Sequence, residues 1–181
     1  MENITAAERN KMALMYGLIT GIIYLVITTA VNILVGSMIT FYAAKFVGFV
    51  LYFVIIGIFA ARIRKANGGY IEFRELFGAI FIMLLIAGLM SYLYNYLYIE
   101  VIDPQFMNKI RTATVHFMEN MKTPEDKIDD ALRKFDEKVA ESKTFHFGAA
   151  LLTFLEALVV DCLFGLIVCL IVKKSKPVFN N

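Results

Sequence analysis

The sequence predicts an all-α integral membrane protein with four transmembrane helices, joined by an extracytoplasmic amphipathic helical hairpin between helices 3 and 4. Three observations carry this reading. Apolar residues make up 59% of 181 residues, with a mean hydropathy of +0.67, more than the interior of a soluble domain of this size can hold. Four apolar runs, at 11–38, 41–61, 76–99 and 148–172, each exceed the ~20 residues that cross the hydrocarbon of a bilayer. Basic residues gather on alternate connections, as they do when one set of loops stays in the cytoplasm. The chain reads as a single membrane domain over 1–181, with 100–147 forming the hairpin.

Span 1 opens on Thr5-Ala-Ala-Glu8, a capping box in which the Thr hydroxyl and the Glu carboxylate each satisfy a backbone N–H of the first turn. Its apolar run is too long for a signal peptide, its flank mixes Glu2 and Glu8 with Arg9 and Lys11, and no small-residue cleavage site follows. A retained helix is therefore expected. Ala13, Gly17 and Gly21 stand four apart, a small-residue face that lets another helix backbone come close. An internal neighbour is the preferred reading, and self-association through the Gly17/Gly21 face is the alternative.

Span 2 follows a short turn near Gly36 to Tyr42 and ends at Arg62, Arg64 and Lys65. Asn67-Gly68-Gly69 then tolerates positive φ and turns the chain toward span 3. With Arg74 and the tail lysines Lys173, Lys174 and Lys176, these charges place the 62–75 connection and both ends in the cytoplasm, N-in/C-in. Tyr92, Tyr94, Tyr96 and Tyr98 fall at the outer end of span 3 and read as an interfacial aromatic belt.

The 100–147 segment carries eight basic and ten acidic residues. Phe106, Ile110, Phe117 and Met121 recur near helical spacing. Thr123-Pro124-Glu125-Asp126 supplies an N-cap, a proline at the first helical position and acids at the positive end of the dipole. Ile128, Leu132, Phe135 and Val139 then form a second stripe. The stripes are expected to pack on each other or on the bilayer surface; a protein partner docking there is the functional alternative.

Composition and motifs exclude several classes. A formal charge of +2 without a basic patch gives no support for nucleic-acid binding. Cys162 and Cys169 lie about two turns apart on one helix, beyond disulfide reach. His116 and His146 lack a third ligand, so no metal is expected. No nucleophile-elbow, zincin or phosphate-loop motif occurs and Ser91 has no nearby His, so neither an enzyme nor a cofactor is expected.

The sharpest signal is Glu156 and Asp161 inside span 4, because an unpaired carboxylate at the bilayer centre costs at least ~2.5 kcal/mol. At a 1.5 Å rise from Gly148 they lie roughly 12 Å and 20 Å deep, and their directions differ by about 140°, so each needs its own partner. Lys45 can reach toward Glu156 or snorkel to the interface. Asn32 and Asn95 are candidates for the same outer polar cluster, and Tyr24 and Tyr52 for neighbours of Asp161. Hydrogen-bonding glue between helices is the structural reading of the two acids. A small proton- or cation-coupled transporter or channel is the alternative, although no inverted repeat or broken spanning helix accompanies them.

Three stretches resemble an uncharacterised bacterial membrane family, domain of unknown function 4199. They are Ala13-Leu-Met-Tyr16-Gly17-Leu, then Asn67-Gly68-Gly69-Tyr70-Ile71-Glu72-Phe73 with Phe77, and Tyr98-Ile-Glu-Val-Ile102-Asp103-Pro104-Gln-Phe106. The resemblance implies four spans, a multi-pass location in the bacterial inner membrane and no assigned activity, so it supplies no catalytic or ligand residues. The expected function is a structural or accessory component of a membrane assembly, in contact with the lipid bilayer.

Overall fold

The computed structural model describes residues 4–143 and 147–176. Six α-helices follow in order: α1 (Ala6–Asn32), α2 (Met38–Ala66), α3 (Phe73–Leu97), α4 (Phe106–Asn120), α5 (Glu125–Lys143) and α6 (Phe147–Val172). A 3₁₀ turn at Ile33–Gly36 extends α1, and one π turn at Tyr98–Ile102 extends α3. No strand forms among the described residues; a single antiparallel bridge joins Ile71 and Lys174. Four helical stretches are long and apolar enough to cross a membrane: Ala6–Gly36, Met38–Ala66, Phe73–Ile102 and Ala150–Val172.

The pattern of burial in α1 is the reverse of that of a soluble helix. Ala13, Gly17, Thr20 and Gly21 face the bundle, while Leu14, Leu18, Ile22 and Val26 point outward. Small residues allow close backbone approach, and lipid solvates the large outward side chains that water would reject. A Cβ on Gly17 would stand 3.1 Å from Met83 Cα, and one on Gly21 would meet Met90 Sδ at 2.6 Å, so the Ala13/Gly17/Gly21 face is covered by α3 of the same chain. α6 approaches α3 in a similar way at Gly165, where a Cβ would lie 2.8 Å from Leu84 Cδ1. α1 and α6 each pack along both α2 and α3, and so occupy opposite corners of the bundle.

One end of the bundle collects the start of α1, the turn between α2 and α3, and the segment after α6. Thr5 and Glu8 form the capping box, with Glu8 N–H donating to Thr5 Oγ1 at 3.2 Å and Thr5 N–H to Glu8 Oε2 at 2.8 Å. Arg9 pairs with Glu75 at 2.9 Å, and Arg64 donates to the Val172 carbonyl at 2.7 Å. Gly68 and Gly69 adopt φ of 75° and 89°, conformations that a Cβ would strain, and Asn67 Nδ2 closes the turn on the Tyr70 carbonyl at 2.7 Å. Arg62, Arg64, Lys65, Arg74, Lys173 and Lys174 therefore share this end with Arg9.

The opposite end corrects several expectations. The loop expected from Gly36 to Tyr42 shrinks to Ser37, because the 3₁₀ turn continues α1 and Ser37 caps α2 directly, its carbonyl accepting from Phe41 N–H at 2.8 Å. The tyrosines do not form one belt. Tyr98 is buried against Phe106, Tyr94 hydrogen-bonds Thr29, Tyr92 meets Phe154, and Tyr96 is the most outward of the four. The α4 stripe also finds a different target: Phe106, Met107 and Ile110 pack on Val31, Val35, Phe41 and Tyr98 at the end of the bundle. The edge-on contacts of Phe106 with Phe41 and Tyr98 fix this seat. α5 meets the bundle chiefly through α4, with Arg111 forked onto Asp136 at 3.0 to 3.3 Å.

Candidate membrane-embedded acid site

Where the four apolar helices separate, a cavity of about 210 Å³ opens between α1, α2, α3 and α6. Its polar lining is Asp161 from α6, Tyr24 from α1, Tyr52 from α2, and Ser91 and Asn95 from α3. Asp161 is half-buried, and no cation pairs with it among the described residues. The Tyr24 and Tyr52 rings lie 4.8 Å apart. Tyr52 is 3% exposed, and its hydroxyl is buried without a hydrogen-bond partner among the described residues. Asn95 donates to the Ser91 carbonyl one turn back at 2.9 Å, which fixes its amide on the cavity side of α3.

The local sequence explains this lining. Ala87, Ser91 and Asn95 recur every four residues and so share one face of α3, with Gly88 beside them. On α6, the buried face is set by Gly165, Cys169 and Val172, and the half-buried Leu158, Asp161 and Cys162 continue it upward. Cys169 is held at the basic end by its thiol, 3.6 Å from the Phe73 carbonyl. Cys162 and Cys169 are both free thiols.

The predicted polar residues do not form one cluster. Asn95 and Asp161 line the same cavity. Lys45 lines an adjoining cleft of about 410 Å³ that shares Tyr24, Phe49 and Asn95 with it, and its ammonium lies 4.6 Å from the Phe41 ring centroid. Asn32 is buried elsewhere, at the mouth of a third cleft formed with the hairpin, beside Tyr98, Asp103 and Lys109. Asp103 and Lys109 pair there at 2.6 Å. Glu156 is exposed on the face of α6 turned away from the bundle, and no cation, Lys45 included, pairs with it among the described residues. The reason is angular: with Asp161 turned inward, a residue five positions earlier points about 140° away.

His116 is exposed and lies 3.4 Å from Glu119, and no group of metal-ligating side chains forms among the described residues. His146 lies outside the described residues. Sequence reasoning missed Ser91, Phe49, Tyr92 and Phe154 as cavity walls. The four-residue spacing of Ala87, Ser91 and Asn95 was the available signal for the α3 face; the aromatic walls had none.

Four long apolar helices with small-residue crossings and an acid-lined cavity define a multi-pass, all-helical membrane bundle. The chain belongs to the family described as Protein of unknown function (DUF4199), which it matches over residues 15–174. No curated protein and no solved structure matches it.

Proposed function

We propose that this protein is a structural or accessory component of a membrane assembly. It sits in the bacterial inner membrane, N-in/C-in, with the basic end of the bundle in the cytoplasm and the α4–α5 hairpin outside. The observation that carries this reading is Glu156. Its carboxylate stands on the outward face of α6, about 13 Å along the axis from Phe147, among the exposed Leu152, Leu155, Val159 and Val160. Lipid offers no hydrogen-bond donor at that depth, and a carboxylate there costs up to ~2.5–3.5 kcal/mol at the helix centre. A donor on a neighbouring protein's spanning helix removes that cost, so this face meets protein. The hairpin, with the half-buried Ile128, Leu132 and Phe135 on α5, offers a second contact region outside the bilayer.

The carrier alternative needs Glu156 and Asp161 along one path, and α6 turns them to opposite sides. We read the chain as non-catalytic and as working without a cofactor. The test is photo-crosslinking in native membranes, with the reactive residue at position 156, at Lys134 on the hairpin, and at Leu18 on the outward face of α1 as the control. A discrete protein adduct from 156 that is absent from 18 supports the assembly. Lipid adducts alone from all three positions reject it.

A further inference from the structure

Independently of how the chain assembles, we infer that the cavity beside Asp161 binds a small primary organic ammonium with an apolar body. Asp161 supplies a carboxyl at one wall that no cation pairs with among the described residues. A primary ammonium has three N–H donors, and the residues that line the cavity carry acceptors in the Asp161 carboxyl and the Ser91 and Tyr52 hydroxyls. The Tyr52 hydroxyl is the second, independent observation. It is buried, belongs to a cavity-lining residue only 3% exposed, and has no partner among the described residues, a state that costs about 1–3 kcal/mol.

The remaining walls select the rest of the ligand. Phe49, Tyr92 and Phe154 line the cavity with aromatic rings, and Tyr92 meets Phe154 edge-on at 5.9 Å. Aromatic faces attract cations and also pack apolar groups, so they suit an ammonium carried on a hydrocarbon or aromatic body. A bare hard cation would want a shell of oxygen ligands rather than rings. At about 210 Å³ the space lies below the ~300–1,000 Å³ of drug-sized pockets, which limits the ligand to a small amine. Lys45 lies beyond Tyr24 and Phe49 in the adjoining cleft, its ammonium over Phe41, so its charge stands outside the cavity.

The probe is 2-phenylethylamine, measured by equilibrium dialysis against the purified full chain in detergent, with 2-phenylethanol as the neutral analogue of similar shape. Saturable binding of the amine is expected, at least about tenfold tighter than the alcohol. Asp161→Asn should abolish the difference between amine and alcohol. Tyr52→Phe, which keeps the ring and removes the hydroxyl, should weaken the amine about ten- to hundredfold, as loss of one hydrogen bond to a charged group does. Glu156→Gln, on the opposite face of the same helix, should leave binding unchanged. Equal affinity for amine and alcohol in the wild-type chain overturns the inference and leaves an apolar slot, and this comparison stands even where Asp161→Asn fails to fold. Displacement of the amine by sodium at equal concentration overturns it in favour of an inorganic cation site. An equal loss in Glu156→Gln reduces it to non-specific charge.

Discussion

The contact between α1 and α3 makes a quantitative prediction, because two glycines one turn apart meet different kinds of neighbour. Adding a methyl at Gly17 places it 3.1 Å from Met83 Cα and 3.2 Å from both the Met83 carbonyl oxygen and Ile86 Cβ. Ordinary carbon contacts begin near ~3.5 Å, so the shortfall is about 0.4 Å, against backbone that cannot swing away. α1 and α3 must separate along the broadest helix–helix interface of the bundle. Overpacking of this kind costs typically ~1–3 kcal/mol, and the better helix propensity of Ala returns up to ~1 kcal/mol. Gly17→Ala is therefore expected to lose about 1–2 kcal/mol. At Gly21 the methyl comes closer still, 2.6 Å from Met90 Sδ, but a thioether is the flexible end of a three-rotor side chain and can move. Gly21→Ala is expected within about 0.5 kcal/mol of wild type, with Met90 re-oriented. Reversible unfolding of the purified protein in mixed micelles measures both. Equal costs at the two positions, or a neutral Gly17→Ala, would refute the close α1–α3 crossing.

Tyr52→Phe should leave the unliganded protein as stable as wild type or up to ~1 kcal/mol more stable in the same assay, since the hydroxyl it removes is unsatisfied; a loss above ~1 kcal/mol would show that the hydroxyl has a partner. In α5, Lys134 and Arg133 both bond Asp130 at 2.7 Å and hold its carboxyl below the usual carboxylate range. A lowered folded-state value means that these pairs contribute fully above the unfolded pKa of ~3.9 and are lost as pH falls through the folded one. Carbon-detected NMR of Asp130 should give a midpoint that rises in the Arg133→Ala, Lys134→Ala double variant; an unchanged midpoint would place both cations elsewhere in solution.

The four spans were legible in the sequence because a bilayer demands ~20 apolar residues wherever the chain crosses, whatever the tertiary packing. The facing of each span was legible only where side-chain size broke the apolar uniformity. Ala13, Gly17 and Gly21 marked the α3-facing side of α1 for this reason. Large residues gave no such signal: Leu18 points outward and Leu84 inward, and both are simply apolar. The capping box at Thr5 and the turn at Gly68 and Gly69 depend on local backbone chemistry, so they were readable residue by residue. The seat of Phe106 depends on where Phe41 and Tyr98 arrive from distant elements, and nothing local to α4 records that. The aromatic belt was misread on the same ground, since Tyr98 looks amphipathic by type and is buried by its neighbours.

Glu156 and Asp161 show how far a single helix can be read. Their spacing fixes an angle of about 140° between them, whatever surrounds α6. Which of the two faces inward is decided by Gly165 and Cys169, the positions where α6 comes closest to α3. Those residues put Asp161 on the cavity and send Glu156 outward. The two carboxylates therefore answer to different surroundings, one to a cavity with hydroxyls and rings, the other to whatever lies beside the bundle. A shared role would make their amide variants fail together, whereas this geometry separates them: Asp161→Asn should act on ligand binding and Glu156→Gln on association. One preparation carrying each variant in turn, measured for both properties, tests the rotation of α6 on which both readings depend.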